Sequence, residues 1–396
     1  MAPTSLFLSR IALLQAFLKA HQWNGILLNR IDNFAMATGG ARNFVSTQAD
    51  VGACGLFIQD NGTVHYAGNG VEATRITDEE IPCPPCQADP FLWCGDTPAS
   101  WCQSRFEGVL VSDDGTLGDN VDGALAPLRS ILLPDECDTY RNLGRLAGEA
   151  MEITLRSITS GMTESEISAR LIYEGRRRGC QVPVSLVAAD DRIARYRHPL
   201  PTLPGSPHEA RVKSYVMVVA GMQLGGLVVS LTRFKQVDTL PATVSEAYRR
   251  ICAVDIRMAE ATRPGATLGD VFAACQRAYV EFGFDENEWH NHHQGGSTGY
   301  AGRTSKGMPG STFPCLDAHW TQVVREQLGT EISVSSAFAW NPSAQGVKSE
   351  DTFLLHADGQ REVITATPNI PTVALHDLLS SEMTMEKSAM APPEFI

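Results

Sequence analysis

The chain has 396 residues, with 45 acidic against 32 basic side chains and a formal charge of −13. That surplus of acid excludes nucleic acid or an anionic membrane face as the main partner, because both call for a basic surface. With 43% hydrophobic and 19% charged residues the chain can bury large cores, and its length favours two domains of roughly 100–200 residues each.

Leu6, Phe7, Ile11, Leu14, Phe17 and Leu18 recur at helical spacing and predict a helix over 6–21. Arg10 and Lys19 break its apolar face and no small-residue cleavage site follows, so the segment is not read as a secretory signal. No run reaches the roughly 18–20 apolar residues of a membrane span, and the expected setting is the cytoplasm. A short apolar run at 25–28 predicts a buried strand. Runs at 52–58 and 63–66 flank Asp60-Asn61-Gly62, a hairpin signal because Asn-Gly accepts positive φ. A loop rich in Pro, Cys and Trp is expected over 81–101, and a last strand at 109–112. This alternation reads as an α/β domain over 1–138. Cys83, Cys86 and Cys94 fall in the loop and Cys102 directly after it. A structural zinc site pairs two close Cys knuckles, and only the first is present, so a loop with reduced thiols is the preferred reading.

The texture changes around 134–139. Helices are predicted over 140–156, from a Thr163 cap onward, over 244–262 and over 268–282, with strands at 214–220 and 226–234. Helices combined with antiparallel strands indicate an α+β domain over 139–382. A polar, Met-rich tail, 383–396, is expected to fray.

Three segments carry candidate chemistry. In the first, Arg197-His198-Pro199 with Pro201 puts an imidazole on stiff, non-helical backbone, the competing reading being a surface loop histidine. The second runs from Trp289 through His290, His292, His293 and Gly295-Gly296 to Tyr300 and Arg303. Three imidazoles suit a transition metal. On extended chain, however, His293 would face away from His290 and His292, so hydrogen bonding by one or two of them is favoured. In the third, Trp340-Asn341-Pro342 and Gly346 read as a hairpin leading to Lys348-Ser349-Glu350-Asp351-Thr352. There Glu350 either projects inward or forms a surface pair with Lys348.

Taken in order, these segments, with Asn33-Phe34 to Gly40 and the Ser230-Leu231-Thr232-Arg233 stretch, resemble the pita-bread superfamily of creatinase, aminopeptidase P and prolidase. The resemblance implies an α+β pita-bread catalytic domain preceded by a creatinase-type α/β domain. It also implies a homodimer in which the amino-terminal domain closes the partner's site over a small-molecule substrate. Metallopeptidases of this fold hold two metals with two Asp, one His and two Glu. The corresponding positions here are Val219, Ser230, Gly296, Asn341 and Glu350, so no metal and no other cofactor is expected.

Creatinase, which the pattern resembles, hydrolyses a C–N bond without metal. The expected function is therefore metal-independent hydrolysis, with His198 as general base and acid and Glu350 and His292 as further catalytic groups. His293, Arg233, Arg303, Asn341, Trp340 and Tyr300 are the expected substrate contacts. Arg233 also has a structural reading beside its Thr partner, and Trp340 a packing one. Thr232 replaces a creatinase carboxylate, which argues against creatine. The alternatives are an Xaa-Pro-peptidase-like enzyme with a metal site rebuilt from His290, His292, His293 and Glu350, lyase or isomerase chemistry, and a non-catalytic binding protein.

Overall fold

The apolar spacing at the start of the chain produces the helix Pro3–His21, which buries Phe7, Leu13, Leu14, Phe17 and Leu18. Arg10, which breaks the apolar face in the sequence, is itself fully buried; its guanidinium pairs with Glu136 and donates to the carbonyls of Leu128 and Ile131. This computed structural model describes residues 3–81, 86–303 and 305–373, with Leu375 and Glu394. The expected tail, 383–396, lies outside the described residues apart from Glu394.

One unit comprises Met1–Glu136, Gly225–Leu227 and Asp317–Val334. Its five-stranded sheet runs in the order Cys86–Ala88, Val64–Gly68, Val51–Gln59, Gly25–Arg30, Leu110–Ser112. The inner pairings are antiparallel and the two edge pairings parallel. The Asn-Gly hairpin forms as expected, with Ile58 opposite Val64 and Gly62 at φ 86°. The 81–101 segment is more ordered than a loop. It contributes the edge strand Cys86–Ala88 and starts the helix Pro98–Gln103, which Thr97 caps with its hydroxyl and Pro98 opens. Trp101 and Cys102 from that helix pack into a core with Leu27 and Phe57. Cys83 lies outside the described residues. Cys86, Cys94 and Cys102 do not come together as a metal-holding group among the described residues.

The other unit comprises Cys137–Leu224, Val228–Leu316 and Ser335–Ile396. It is the α+β arrangement expected. Capping boxes at Thr163/Glu166 and Thr267/Asp270 start the helices Glu164–Arg176 and Leu268–Glu281. A three-stranded sheet orders Gln181–Ala189, Tyr215–Leu224 and Leu227–Gln236. A four-stranded sheet orders Arg361–Val363, Asp351–His356, Ser335–Trp340 and Gly295–Thr298. The third candidate segment is the hairpin expected. Trp340 stands opposite Asp351, and a smaller pairing of Ser343–Ala344 with Val347–Lys348 forms its tip. Among the described residues no helix is long and apolar enough to cross a membrane.

Candidate active site

The imidazoles arrive from two loops. His198 follows the short helix Asp191–Arg195, and the neighbouring Arg197 donates to Glu288 at 2.5 Å, tying its loop to the 3-10 turn Glu288–Asn291. That turn changes the facing expected of the histidines. It ends at His292 in extended conformation, φ −159° and ψ 146°, and leaves the His292 and His293 rings stacked, with centroids 4.4 Å apart. His290 packs edge-on against Trp289 instead. The cluster is thus His198, His292 and His293, whose ligand-capable atoms all lie within 4.8 Å of one another. The expectation that His293 would point away from His292 fails because the chain entering the pair is a helical turn, not a strand.

His292 Nε2 lies 3.0 Å from His198 Nε2, so one ring donates and the other accepts. Gln294 holds the turn: its amide nitrogen donates to the carbonyls of Trp289 and His292, and its oxygen accepts from Tyr279 Oη. Burial, and next the Lys348 ammonium, pushes the His292 imidazole down to about 2. Burial and then Arg303 and Lys306 push His293 down to about 4. His198, exposed, is lowered from its ordinary value by partial desolvation and by Lys348. All three rings are therefore neutral near pH 7, with lone pairs available for a proton or a ligand.

Opposite them stands Glu350, 1% exposed. One carboxylate oxygen pairs with Arg303; the other accepts from Thr232 Oγ1 at 2.5 Å and lies 3.3 Å from Lys348 Nζ. Burial would raise its pKa, but Arg303 and Lys348 outweigh that and hold it at about 2. These groups share a cavity of about 360 Å³. His198, Ser230, His293, Arg303, Lys306, Lys348 and Glu350 supply its polar lining, and Val184, Leu186, Val219 and Val228 an apolar wall. That volume lies within the usual range of small-molecule pockets.

Of the expected site residues, His198, His293, Glu350 and Arg303 line the cavity, with His292 bonded behind His198. Arg233, Trp340 and Tyr300 are not among its lining residues. Arg233 is 1% exposed and its guanidinium is committed to Asp351, to Thr367 Oγ1 and to the carbonyls of Thr232 and Thr365. That is its structural reading, not anion binding. Trp340 is core, stacked on Phe338 and donating from Nε1 to Thr262 Oγ1. Asn341 is fully buried, and neither side-chain polar atom has a partner among the described residues. Sequence reasoning missed Lys306 altogether. It treated Lys348 only as a possible surface partner of Glu350, whereas the pair forms in a buried setting.

The five positions that the resemblance sets against the metal ligands of related enzymes carry one carboxylate among them, Glu350. Val219 is an apolar wall residue. At Gly296 there is neither a ligand nor room for one, since a Cβ would stand 2.1 Å from the carbonyl oxygen of Ser305. Asn341 offers a neutral amide, and Ser230 a hydroxyl. The single carboxylate, Glu350, already carries a guanidinium and an ammonium on its two oxygens. A dication is poorly served by that donor set.

Comparison with known proteins gives the same lineage. The chain is 25% identical over 248 residues to an Xaa-Pro dipeptidase from Pyrococcus horikoshii, a match spanning 61% of this chain and 65% of the relative's length. Its fold superimposes on the crystal structure of the prolidase from Pyrococcus horikoshii OT3 with a TM-score of 0.68 at 16% identity, covering 90% of this chain and 98% of that one. Dipeptidase PepE from Mycobacterium ulcerans gives 0.69 at 16% identity, covering 92% and 96%. Residues 138–357, the stretch that carries the imidazoles, Arg303 and Glu350, match the model of metallopeptidase family M24. With more than half of its length in that match, the chain belongs to family M24.

Proposed function

We propose that this protein hydrolyses an amide-type C–N bond in a small, peptide-like substrate, with His198 as the acid/base group. The observation that carries the reading is the meeting of His198, His293 and Glu350 at one small-molecule cavity, with His292 bonded behind His198. Water adding to the carbonyl carbon gives its proton to His198, with His292 steadying the ring through the 3.0 Å contact. The proton then passes to the leaving nitrogen. The relatives' name, Xaa-Pro dipeptidase, moves the substrate class from the small polar metabolite first expected toward a dipeptide, with the amide bond to proline as the bond cleaved.

One observation favours a second reading, an Xaa-Pro-peptidase-like enzyme with a rebuilt metal site. The ligand atoms of His198, His292 and His293 are close enough to one another to hold a single transition ion. The family match and the relatives' name support this reading better than the metal-independent one, and the surrounding Arg303, Lys306 and Lys348 charges weigh against it.

Chelator-treated full-length protein assayed on Ala-Pro, Gly-Pro and simple amides tests the two readings. Metal-free turnover is expected, with kcat/KM falling about 10²–10⁴-fold in His198→Ala. Turnover that appears only with added zinc, cobalt or manganese selects the second reading. Elimination or proton exchange without hydrolysis rejects both.

A further inference from the structure

Lys348 lies between two of the positions that hold metal in related enzymes, Asn341 and Glu350, on the strand Val347–Lys348 with Ser343 opposite it. Its side chain is 4% exposed yet lines the cavity. Among the described residues its ammonium has one partner, Glu350 Oε2 at 3.3 Å. An ammonium carries three donors, so two are left for a group entering the cavity. Glu350 also carries Arg303 on its other oxygen. One carboxylate therefore faces two cations, with Lys306 as a third on the same cavity. Lys306 is exposed, but Lys348 is buried and Arg303 largely so, and buried positive charge in excess of its counter-charge is costly; a substrate that develops negative charge on oxygen offsets that cost. The backbone of Ser305 and Lys306 fills the space a side chain at 296 would need.

We propose that Lys348 is the electrophile of this site: anchored on Glu350, its ammonium donates to the substrate carbonyl oxygen and holds the negative charge that forms there. The inference rests on the hydrolase reading above and names the group that reading lacks. As water adds to the carbonyl carbon, its proton moves to His198 and the carbonyl π pair moves onto the oxygen facing Lys348. When the adduct collapses, the C–N bond breaks with its electron pair on nitrogen, which takes the proton from His198.

The test compares full-length wild type with Lys348→Met, Lys348→Gln and Lys348→Arg. The probe is methylphosphonate, a tetrahedral oxyanion with no scissile C–N bond, titrated by calorimetry, with thermal unfolding run on every variant. Wild type binds, Lys348→Met and Lys348→Gln weaken binding at least about tenfold, and Lys348→Arg stays within about threefold. On any substrate the wild type hydrolyses, Lys348→Met loses about 100-fold in kcat with little change in KM. Gln is included because a folded Gln variant decides the matter if Met does not fold. Binding by a folded Met or Gln variant equal to wild type overturns the proposal, as does a folded wild type that does not bind the probe. Lysine-dependent binding without turnover of any C–N substrate upholds the oxyanion site and defeats the hydrolase reading instead.

Discussion

At Gly296 neighbouring backbone occupies the space of a side chain. A Cβ there would meet the Ser305 carbonyl at 2.1 Å, and Gly295, at φ 89°, is equally hemmed in by the Ala339 carbonyl at 2.2 Å. The glycines let the 305–307 segment run beside Gly295 and Gly296, where Ser297 N–H donates to Ser305 and Gly307 N–H donates to Gly295. That segment puts Lys306 on the cavity. Gly296→Ala is expected to destabilise the protein by about 1–3 kcal/mol in denaturant unfolding, because backbone and not a flexible side chain must yield. Gly296→His, the metal ligand that the resemblance would set at this position, is expected to unfold further without gaining a metal. A stable Gly296→His variant that takes up a divalent ion would show that the space is not closed.

Among the elements, the two loops that carry the imidazoles matter most, and the Arg197–Glu288 ion pair joins them. Arg197 and Glu288 are about one-fifth exposed, so the pair contributes to stability only at the level of about 1 kcal/mol or less. Its role is positioning, since it fixes the approach of His198 to His292. Arg197→Ala is expected to lower kcat/KM by tenfold or more, because small misplacements of reacting groups are costly, while the thermal midpoint barely moves. Combining it with Glu288→Ala should add little, and fully additive losses would show that the pair does not act as one.

Much of this level was legible beforehand. The Thr163 cap, the Asn-Gly hairpin and the apolar strands follow from local chemistry, and all of them form. The meeting of His198 with His292 spans 94 residues, and only the resemblance to known enzymes pointed to it. The facing of His293 depended on a four-residue 3-10 turn that no periodicity announces. Lys348 was read as a surface partner because a hairpin tip looks solvent-exposed until its surroundings are known.

For the whole molecule, the acid surplus of −13 coexists with a cavity where Arg303, Lys306 and Lys348 surround one carboxylate. The surface charge and the site charge have opposite signs, so selectivity for an oxygen anion is a local property. Proton balance has opposing parts. Folded His292 and His293 lie below the ordinary histidine value of about 6.5, so the unfolded chain takes up protons first on acidification, and these groups cost stability progressively below that pH. Buried Asp113 and Asp255, raised to about 7 and about 8, act in the other sense. They hold protons in the fold that the unfolded chain releases, so stability falls as pH rises from the ordinary aspartate value toward theirs.

Imidazole NMR spectra are expected to show His292 and His293 neutral from pH 8 to about 5; a midpoint near 6.5 for either ring would contradict their buried, cation-flanked placement. Light scattering on the full chain tests the dimer that the resemblance implies. The central claim, that imidazole and ammonium groups perform the hydrolysis here, is tested most directly by measuring metal content and Ala-Pro hydrolysis on the same chelator-treated sample. Substoichiometric metal with undiminished turnover is the predicted result. Activity that disappears with the metal and returns in proportion to one bound ion per chain would contradict it.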